Sequence, residues 1–313
     1  MNDENQALQF TSKFDFINMT LDTECAMRND HDKIIFDIAW TICNINRPNF
    51  EFMHKERYIV KETYEHIGSW IWRTKKTGVA VNYDFDETRF QQLHSDVIAG
   101  RVTVLSWREI YNKLMSAIWS TGVKGFTAYN LKHDWMCLAK THNRYCHEQF
   151  MLPSHVETWC SMDFVGTELL GRKYFDWVDS FPQHIIEEYN LKTEGGNYGY
   201  SAEIAGKYLY NDVGYAEKHT SLPDATMETS LNTYCFRLHK NRFHRYLGNI
   251  QFVHWTYFKN RLTSIAKRKK RDSKAIKPLL LPSKTQLIKT IETTPIKKDV
   301  AQSQSEFDFS PEK

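Results

Sequence analysis

Residues 14–26, FDFINMTLDTECA, decide the fold. Apolar and polar residues alternate from Ile17 to Asp22, a period of two that is typical of a β-strand with one buried face. Asp22 and Glu24 follow at the end of this strand, and residues i and i+2 of a strand point to the same face. The pattern therefore predicts two carboxylates side by side, with Thr23 facing away from them.

The segments after this strand predict an α/β fold. Residues 32–45 (DKIIFDIAWTICNI) and 56–64 (ERYIVKETY) read as two more strands of a β-meander. Further strands are predicted over residues 123–130 and 155–164, and helices over 88–100, 106–120, 133–146, 181–191, 201–211 and 221–241. This order predicts a mixed β-sheet with helices on both faces.

The net charge of +3 conceals an acidic body and a basic tail. Residues 1–258 contain 27 basic and 32 acidic side chains, whereas residues 259–313 contain 14 and 6. We expect a domain over residues 1–240, a basic helical extension over 241–271 and a disordered basic tail over 272–313. Such a tail suits a polyanionic partner, and the alternative is a solvated terminus without one.

The six cysteines are scattered along the chain, and the polar N-terminus does not have the pattern of a signal peptide. This usage favours reduced thiols and a cytoplasmic location over a disulfide framework. No stretch approaches the roughly 18 apolar residues of a transmembrane helix, so we expect no membrane span.

Three further residues extend the acidic pair into a candidate site. Asp134 opens a predicted helix after a strand, Asp224 lies in the first turn of a later helix, and His219 precedes that helix on a loop. Carboxylate oxygens suit Mg²⁺ or Mn²⁺, and two such ions about 4 Å apart promote phosphodiester hydrolysis. A histidine with a pKa near neutrality suits the general base. The set therefore predicts a two-metal nuclease centre.

Each of these residues also has an ordinary explanation. A D-x-E triplet is common in exposed strands, and Asp134 fits a simple helix-start acid, which the helix dipole favours. Ser221 and Asp224 form the S-x-x-D capping-box pattern, which would explain Asp224 without a metal. Their joint occurrence, in order and each in the expected element, favours the catalytic interpretation.

Three motifs make the chain resemble the DEDDh (DnaQ-like) superfamily of 3′→5′ exonucleases. The D-T-E motif occurs as residues 22–24, N-x-x-F-D as residues 130–134 (NLKHD), and H-x4-D-A as His219 with Asp224 and Ala225. The resemblance covers residues 14–240. It implies a ribonuclease-H-like fold, two Mg²⁺ or Mn²⁺ ions, and release of nucleoside 5′-monophosphates from a 3′ end.

The resemblance also implies residue roles. His219 would be the general base, and the metal ions would be held directly or through water by Asp22, Glu24, Asp134 and Asp224. Thr23 and Cys25 belong to the stretch that would line the pocket for the terminal nucleotide. After Glu24 this chain has Cys-Ala-Met-Arg, where many members of the superfamily have small residues. Arg28 could contact a phosphate group of the substrate there. His133 replaces the usual aromatic residue, either as a second imidazole or as a filler of the same space.

Candidate nucleic-acid contacts also lie outside the motifs. Trp135 follows Asp134 and is the best-placed tryptophan for stacking on a base, although most tryptophans in such a chain belong to the core. A basic block suited to a phosphate backbone consists of Lys267, Arg268, Lys269, Lys270 and Arg271. Residues 304–309 (QSEFDF) loosely resemble peptides that dock on bacterial sliding clamps, so a clamp or a polymerase is a candidate partner of the tail.

The leading interpretation is a 3′→5′ exonuclease acting on single-stranded DNA ends in replication or repair, located in the cytoplasm, or in that of a host if the protein is viral. One alternative is an exoribonuclease similar to oligoribonuclease, because no residue reveals a contact to the sugar 2′ position. Another is a nucleic-acid-binding replication module without activity, against which the complete set of four acids and a histidine argues.

Overall fold

A computed structural model describes residues 15–27, 33–47, 51–67 and 87–248. The strands within these ranges are β1 (Ile17–Met27), β2 (Lys33–Asn44), β3 (Phe52–Val60), β4 (Thr103–Leu105), β5 (Gly125–Ala128) and β6 (Glu157–Cys160). The helices are α1 (Glu87–Ile98), α2 (Trp107–Thr121), α3 (Leu131–Cys146), α4 (Ser161–Glu168), α5 (Arg172–Val178), α6 (Gln183–Glu188), α7 (Ala202–Tyr210) and α8 (Ser221–Phe243). Residues 61–67 are also helical.

The strands form one mixed sheet in the order β4-β3-β2-β1-β5-β6. β1, β2 and β3 make the predicted antiparallel meander, whereas β5 and β6 extend it from β1 in parallel, and β4 pairs in parallel with β3. Helices cover both faces, which confirms the predicted α/β class. The topology is consistent with the ribonuclease-H-like arrangement that the resemblance implies.

One face of the sheet, the apolar face, packs against α2 and α3. Met19 and Leu21 of β1 join Trp107 of α2 and Leu138 of α3 in a fully buried cluster. Close packing of such side chains is the main source of folding free energy. The apolar face is therefore the structural support of β1.

The opposite face, the α8 face, is polar where α8 crosses β1 and β2. Thr41 and Thr229 share a hydrogen bond of 2.6 Å between their hydroxyl oxygens, and Asn18 donates to Thr20 at 3.2 Å. All four of these side chains are buried. Buried polar groups are tolerated when they are hydrogen-bonded, so this layer fixes α8 against the sheet.

Gly125 allows β5 to lie close against β1. A Cβ atom at this position would lie 2.6 Å from both the Phe16 ring and Asn18 Oδ1, which is too close for any side chain. β5 then leads through Tyr129 and Asn130 into α3. The close approach thereby brings the beginning of α3 next to the end of β1.

Several predicted boundaries were wrong. The strand expected over residues 155–164 ends at Cys160, and α4 begins at Ser161; the strand expected over 56–64 ends at Val60. β4 and α5 were not predicted. α8 ends at Phe243, and Phe243 and Tyr246 are buried in the core. The domain boundaries expected at residues 240 and 271 stay predictions, because residues 249–313, with most of the predicted extension and all of the tail, lie outside the described residues. Along the described part of the chain, none of the helices has the length and apolarity needed to cross a membrane.

Candidate active site

β1 carries the acidic pair at its end, next to an irregularity in the strand. The β1–β2 register shifts between Glu24 and Cys25, as in a β-bulge, a feature that often re-aims side chains near functional sites. Asp22 Oδ2 is buried and has no hydrogen-bond partner among the described residues. A buried carboxylate oxygen without a donor is unfavourable, so this atom calls for a cation or a proton.

Asp134 reaches the site from the first turn of α3. The alternation predicts that Thr23 faces away from the acidic pair, but Thr23 lines the same cavity as Asp22, Glu24 and Asp134. Thr23 Oγ1 donates a hydrogen bond of 2.7 Å to Asp134 Oδ1. Thr23 holds the orientation of the Asp134 carboxylate.

α8 places Asp224 in its first turn, but the capping-box explanation of this residue is wrong. The N-cap is Thr220, whose side chain makes no capping hydrogen bond, and Ser221 is already the first helical residue. Ser221 Oγ instead donates to Asp37 Oδ1 of β2 at 2.6 Å. This bond anchors the start of α8 to the sheet and leaves the buried Asp224 carboxylate on the cavity wall.

His219 lies on the loop before α8 in a left-handed backbone conformation, with φ of 50°. Its side chain is 47% exposed, and Nδ1 lies 4.0 Å from Glu217 Oε2. One ligand atom each of Glu24, His219 and Asp224 lies within 4.8 Å of the others. This spacing suits groups that act on one bound molecule or ion.

The five predicted residues line one cavity of about 690 Å³, which is large enough for a nucleotide-sized ligand. They are Asp22, Glu24, Asp134, His219 and Asp224. They come from β1, α3, the loop before α8 and α8 itself, so only the folded chain brings them together. The structure thus gathers the whole predicted set, while the roles of its members stay predictions.

The charges in this cavity oppose one another. Burial first, and then the carboxylates of Glu228 and Asp134, raise the pKa of Asp22 well above its usual value. Burial also raises the pKa of Asp134 to about 6. Hard divalent cations would relieve this repulsion and would give Asp22 Oδ2 the partner it lacks, so the donor set fits Mg²⁺ or Mn²⁺.

Two acidic residues of the site were missed from the sequence. Glu228 follows Asp224 by four positions, and this spacing puts both residues on one face of a helix. That spacing is the feature of the sequence from which Glu228 could have been predicted. Glu217 lies on the loop beside His219, where burial raises its pKa to about 7, and nothing in the sequence marked it.

The predicted nucleic-acid contacts are placed less uniformly. Cys25 is partly buried beside Cys137, and Trp135 packs edge-on against Phe126 and Phe150; neither is among the cavity-lining residues. Their contacts with nucleic acid stay predictions that these placements do not favour. His133 does line the cavity, with Nε2 3.3 Å from the Lys33 Nζ atom. The remaining candidates lie outside the described residues: Arg28, residues 267–271 and residues 304–309.

No protein-family model and no curated protein matches this chain. Solved structures that are similar include a full-length 3′-exonuclease, at 7% identity and a TM-score of 0.39, over 72% of this chain and 83% of that one. Cell-death related nuclease 4 (CRN-4) is similar at 9% identity and a TM-score of 0.44, over 72% of this chain and 64% of that one. A 3′-exonuclease described by its 3′-end specific recognition of histone mRNA stem-loop is similar at 7% identity and a TM-score of 0.40, over 73% of this chain and 84% of that one. At such scores these similarities do not assign a function. A function has to be inferred from the chemistry of the site.

Proposed function

We propose that the protein is a metal-dependent 3′→5′ exonuclease that hydrolyses nucleic acid, with DNA as the leading substrate. The observation that carries the proposal is the convergence of buried and partly buried carboxylates and one exposed histidine on a single cavity, with Asp22 Oδ2 unpartnered within the described residues. A stable fold gains nothing from gathering like charges in this way. Binding of cations and of a phosphodiester explains the arrangement.

Asp22, Glu24, Asp134 and Asp224 would hold the metal ions, directly or through water. Divalent ions in such a site stabilise the negative charge that develops on the attacking, phosphoryl and leaving oxygens of a phosphodiester. The protein supplies the fixed positions of the carboxylates: Thr23 orients Asp134, and Ser221 with Asp37 fixes the start of α8.

His219 is the proposed general base. Its exposed imidazole lies beside Glu24 and Asp224, where it can take a proton from a water molecule that attacks the phosphorus. His219 Nδ1 lies 4.0 Å from Glu217 Oε2. The carboxylate of Glu217 then lies near the imidazolium that forms, and an opposite charge stabilises that ion.

The other wall of the cavity favours a terminal nucleotide as the bound group. Asn190, Lys192 and Tyr200 line it, from a loop in which Lys192 and Tyr198 form an isolated β-bridge. These polar and aromatic side chains provide contacts for a sugar and a base. A pocket for one nucleotide supports stepwise removal from an end.

A cleavage assay tests the proposal. The full-length protein is incubated with single-stranded DNA and RNA of one sequence, labelled at the 5′ or the 3′ end, in Mg²⁺, Mn²⁺ or EDTA. We expect 5′-labelled DNA to shorten stepwise in either metal ion and to stay intact in EDTA. Preferential shortening of RNA would support the exoribonuclease alternative, and binding without cleavage in any metal ion would refute the enzyme in favour of a binding module.

A further inference from the structure

Glu228 lies one helical turn beyond Asp224 and faces the same cavity. Residues four apart on a helix are neighbours on one face, so α8 presents two carboxylates to the site. Glu228 is only 4% exposed. A glutamate is rarely buried to this extent unless its charge is compensated.

One hydrogen bond fixes the direction of this side chain. The backbone N–H of Tyr129 donates to Glu228 Oε2 at 3.1 Å, and Tyr129 directly precedes Asn130, the N-cap of the helix that carries Asp134. This is the one hydrogen bond to Glu228 among the described residues. Its second oxygen is left for the cavity that the side chain lines.

Asp37, another buried acid near the beginning of α8, shows how this protein satisfies a structural carboxylate. Arg57 binds both of its oxygens, with Nη2 2.7 Å from Oδ2, and Ser221 Oγ donates to Oδ1. No side-chain cation of the described residues pairs with Glu228 in this way. The contrast indicates that the charge of Glu228 is compensated by something other than a protein side chain.

The residues around Glu228 indicate what kind of group compensates its charge. After burial, the charge of Glu228 is the first cause that raises the pKa of Asp22, followed by the charges of Asp134, Glu24 and Asp224. Asp22 Oδ2 is itself buried and unpartnered within the described residues. Glu228 and Asp22 line one cavity, and carboxylate oxygens in such a cavity are the ligands that a hard divalent cation prefers.

We propose that Glu228 is a fifth metal-binding carboxylate, which shares a divalent cation with Asp22 on the α8 face. The inference rests on the proposed metal-dependent function. It assigns to the cation the role that Arg57 has for Asp37, and it makes α8 the source of two ligands instead of one.

Calorimetric titration of Mn²⁺ into the full-length protein, without substrate, tests this assignment. Glu228→Gln keeps the size of the side chain and an oxygen that accepts from Tyr129, but it removes the charge. We expect this variant to lose at least about tenfold in Mn²⁺ affinity or to lose one bound ion. The matched control is Glu188→Gln, which removes an exposed charge of α6 and should bind Mn²⁺ like the original protein.

Thermal unfolding of the same proteins checks the fold. In EDTA, Glu228→Gln should unfold at the same or a higher temperature, since a buried charge is removed, and Mn²⁺ should stabilise it less than the original chain. Unchanged affinity, stoichiometry and Mn²⁺ stabilisation in Glu228→Gln, in a protein that otherwise binds Mn²⁺ and cleaves DNA, would overturn this inference alone. A failure of the original chain to bind Mn²⁺ would overturn the proposed function as well.

Discussion

Adjacent residues of β1 lie in opposite chemical environments on the two faces of the sheet, one apolar and one rich in carboxylates. Leu21 points to the apolar face and is fully buried among side chains of α2 and α3. Asp22 is partly buried and points to the α8 face, where Asp224 and Glu228 are buried. Burial of hydrocarbon stabilises a fold, whereas burial of like charges opposes it.

At the end of β1, this difference separates side chains that maintain the fold from side chains that would perform the proposed chemistry. The apolar face holds β1 in place, and this support allows the α8 face to gather carboxylates that would otherwise repel one another. Proteins tolerate such local conflicts chiefly at functional sites. Substitutions on the two faces should therefore separate stability from activity.

The largest effect is expected for Asp22→Asn, which removes the charge at the centre of the cluster. Because metal ions contribute several kcal/mol to transition-state stabilisation and about 1.4 kcal/mol corresponds to a factor of ten in rate, cleavage should fall by at least about 10³-fold. The melting temperature in EDTA should not decrease, because a repelling charge is lost. Single-turnover cleavage of labelled DNA and thermal unfolding measure the two quantities.

Leu21→Ala is the control on the opposite face. It should lower the free energy of unfolding by about 2–5 kcal/mol, the usual range for a buried leucine, while the molecules that remain folded still cleave DNA. Normal turnover by Asp22→Asn, or loss of activity in Leu21→Ala without loss of stability, would reverse the assignment of the two faces.

A smaller effect is expected for His219→Ala, which removes the proposed base but no carboxylate. General bases contribute about 10²–10⁴-fold, so the cleavage rate should fall within that range while Mn²⁺ affinity changes little. His184→Ala, which removes an exposed histidine of α6, is the control and should retain full activity. Equal rates in the two variants would exclude His219 as the base.

The smallest effect is a pH-dependent stabilisation by metal ions. Burial raises the folded-state pKa of Asp134 to about 6 and of Glu217 to about 7, above unfolded values of about 4. The folded protein therefore binds more protons between these values, and in EDTA its stability should fall as pH rises through that window. Mg²⁺ should consequently raise the melting temperature more at about pH 8 than at about pH 5. An equal increase at both pH values would show that Mg²⁺ binding is not coupled to deprotonation of the cavity carboxylates.

The sequence predicted what local patterns encode. The alternation in β1 placed Asp22 and Glu24 on one face, and the spacing from His219 to Asp224 located the loop and first turn of α8. Glu228 was missed because it belongs to no motif. Whether it faces the cavity depends on the rotation of α8 about its axis, which is fixed only when the helix packs against β1 and β2.

Tertiary contacts account for the misplaced elements. β4 has only three residues and depends on its parallel pairing with β3, which leaves no local signal. The strand expected over residues 155–164 changes into α4 at Ser161, where Met162 N–H donates to the Tyr129 carbonyl oxygen. Short apolar runs fit a strand or a buried helix equally well, so their context decides.

Anomalous diffraction from crystals of the full chain soaked in Mn²⁺ tests most directly whether the carboxylates of the α8 face hold divalent cations. We predict manganese peaks in the cavity, within about 2.0–2.6 Å of oxygens of Asp22 and Asp224, with Asp134, Glu24 and Glu228 completing the ligand set. A cavity without a manganese peak, at a Mn²⁺ concentration that supports cleavage in solution, would contradict a metal centre at this place.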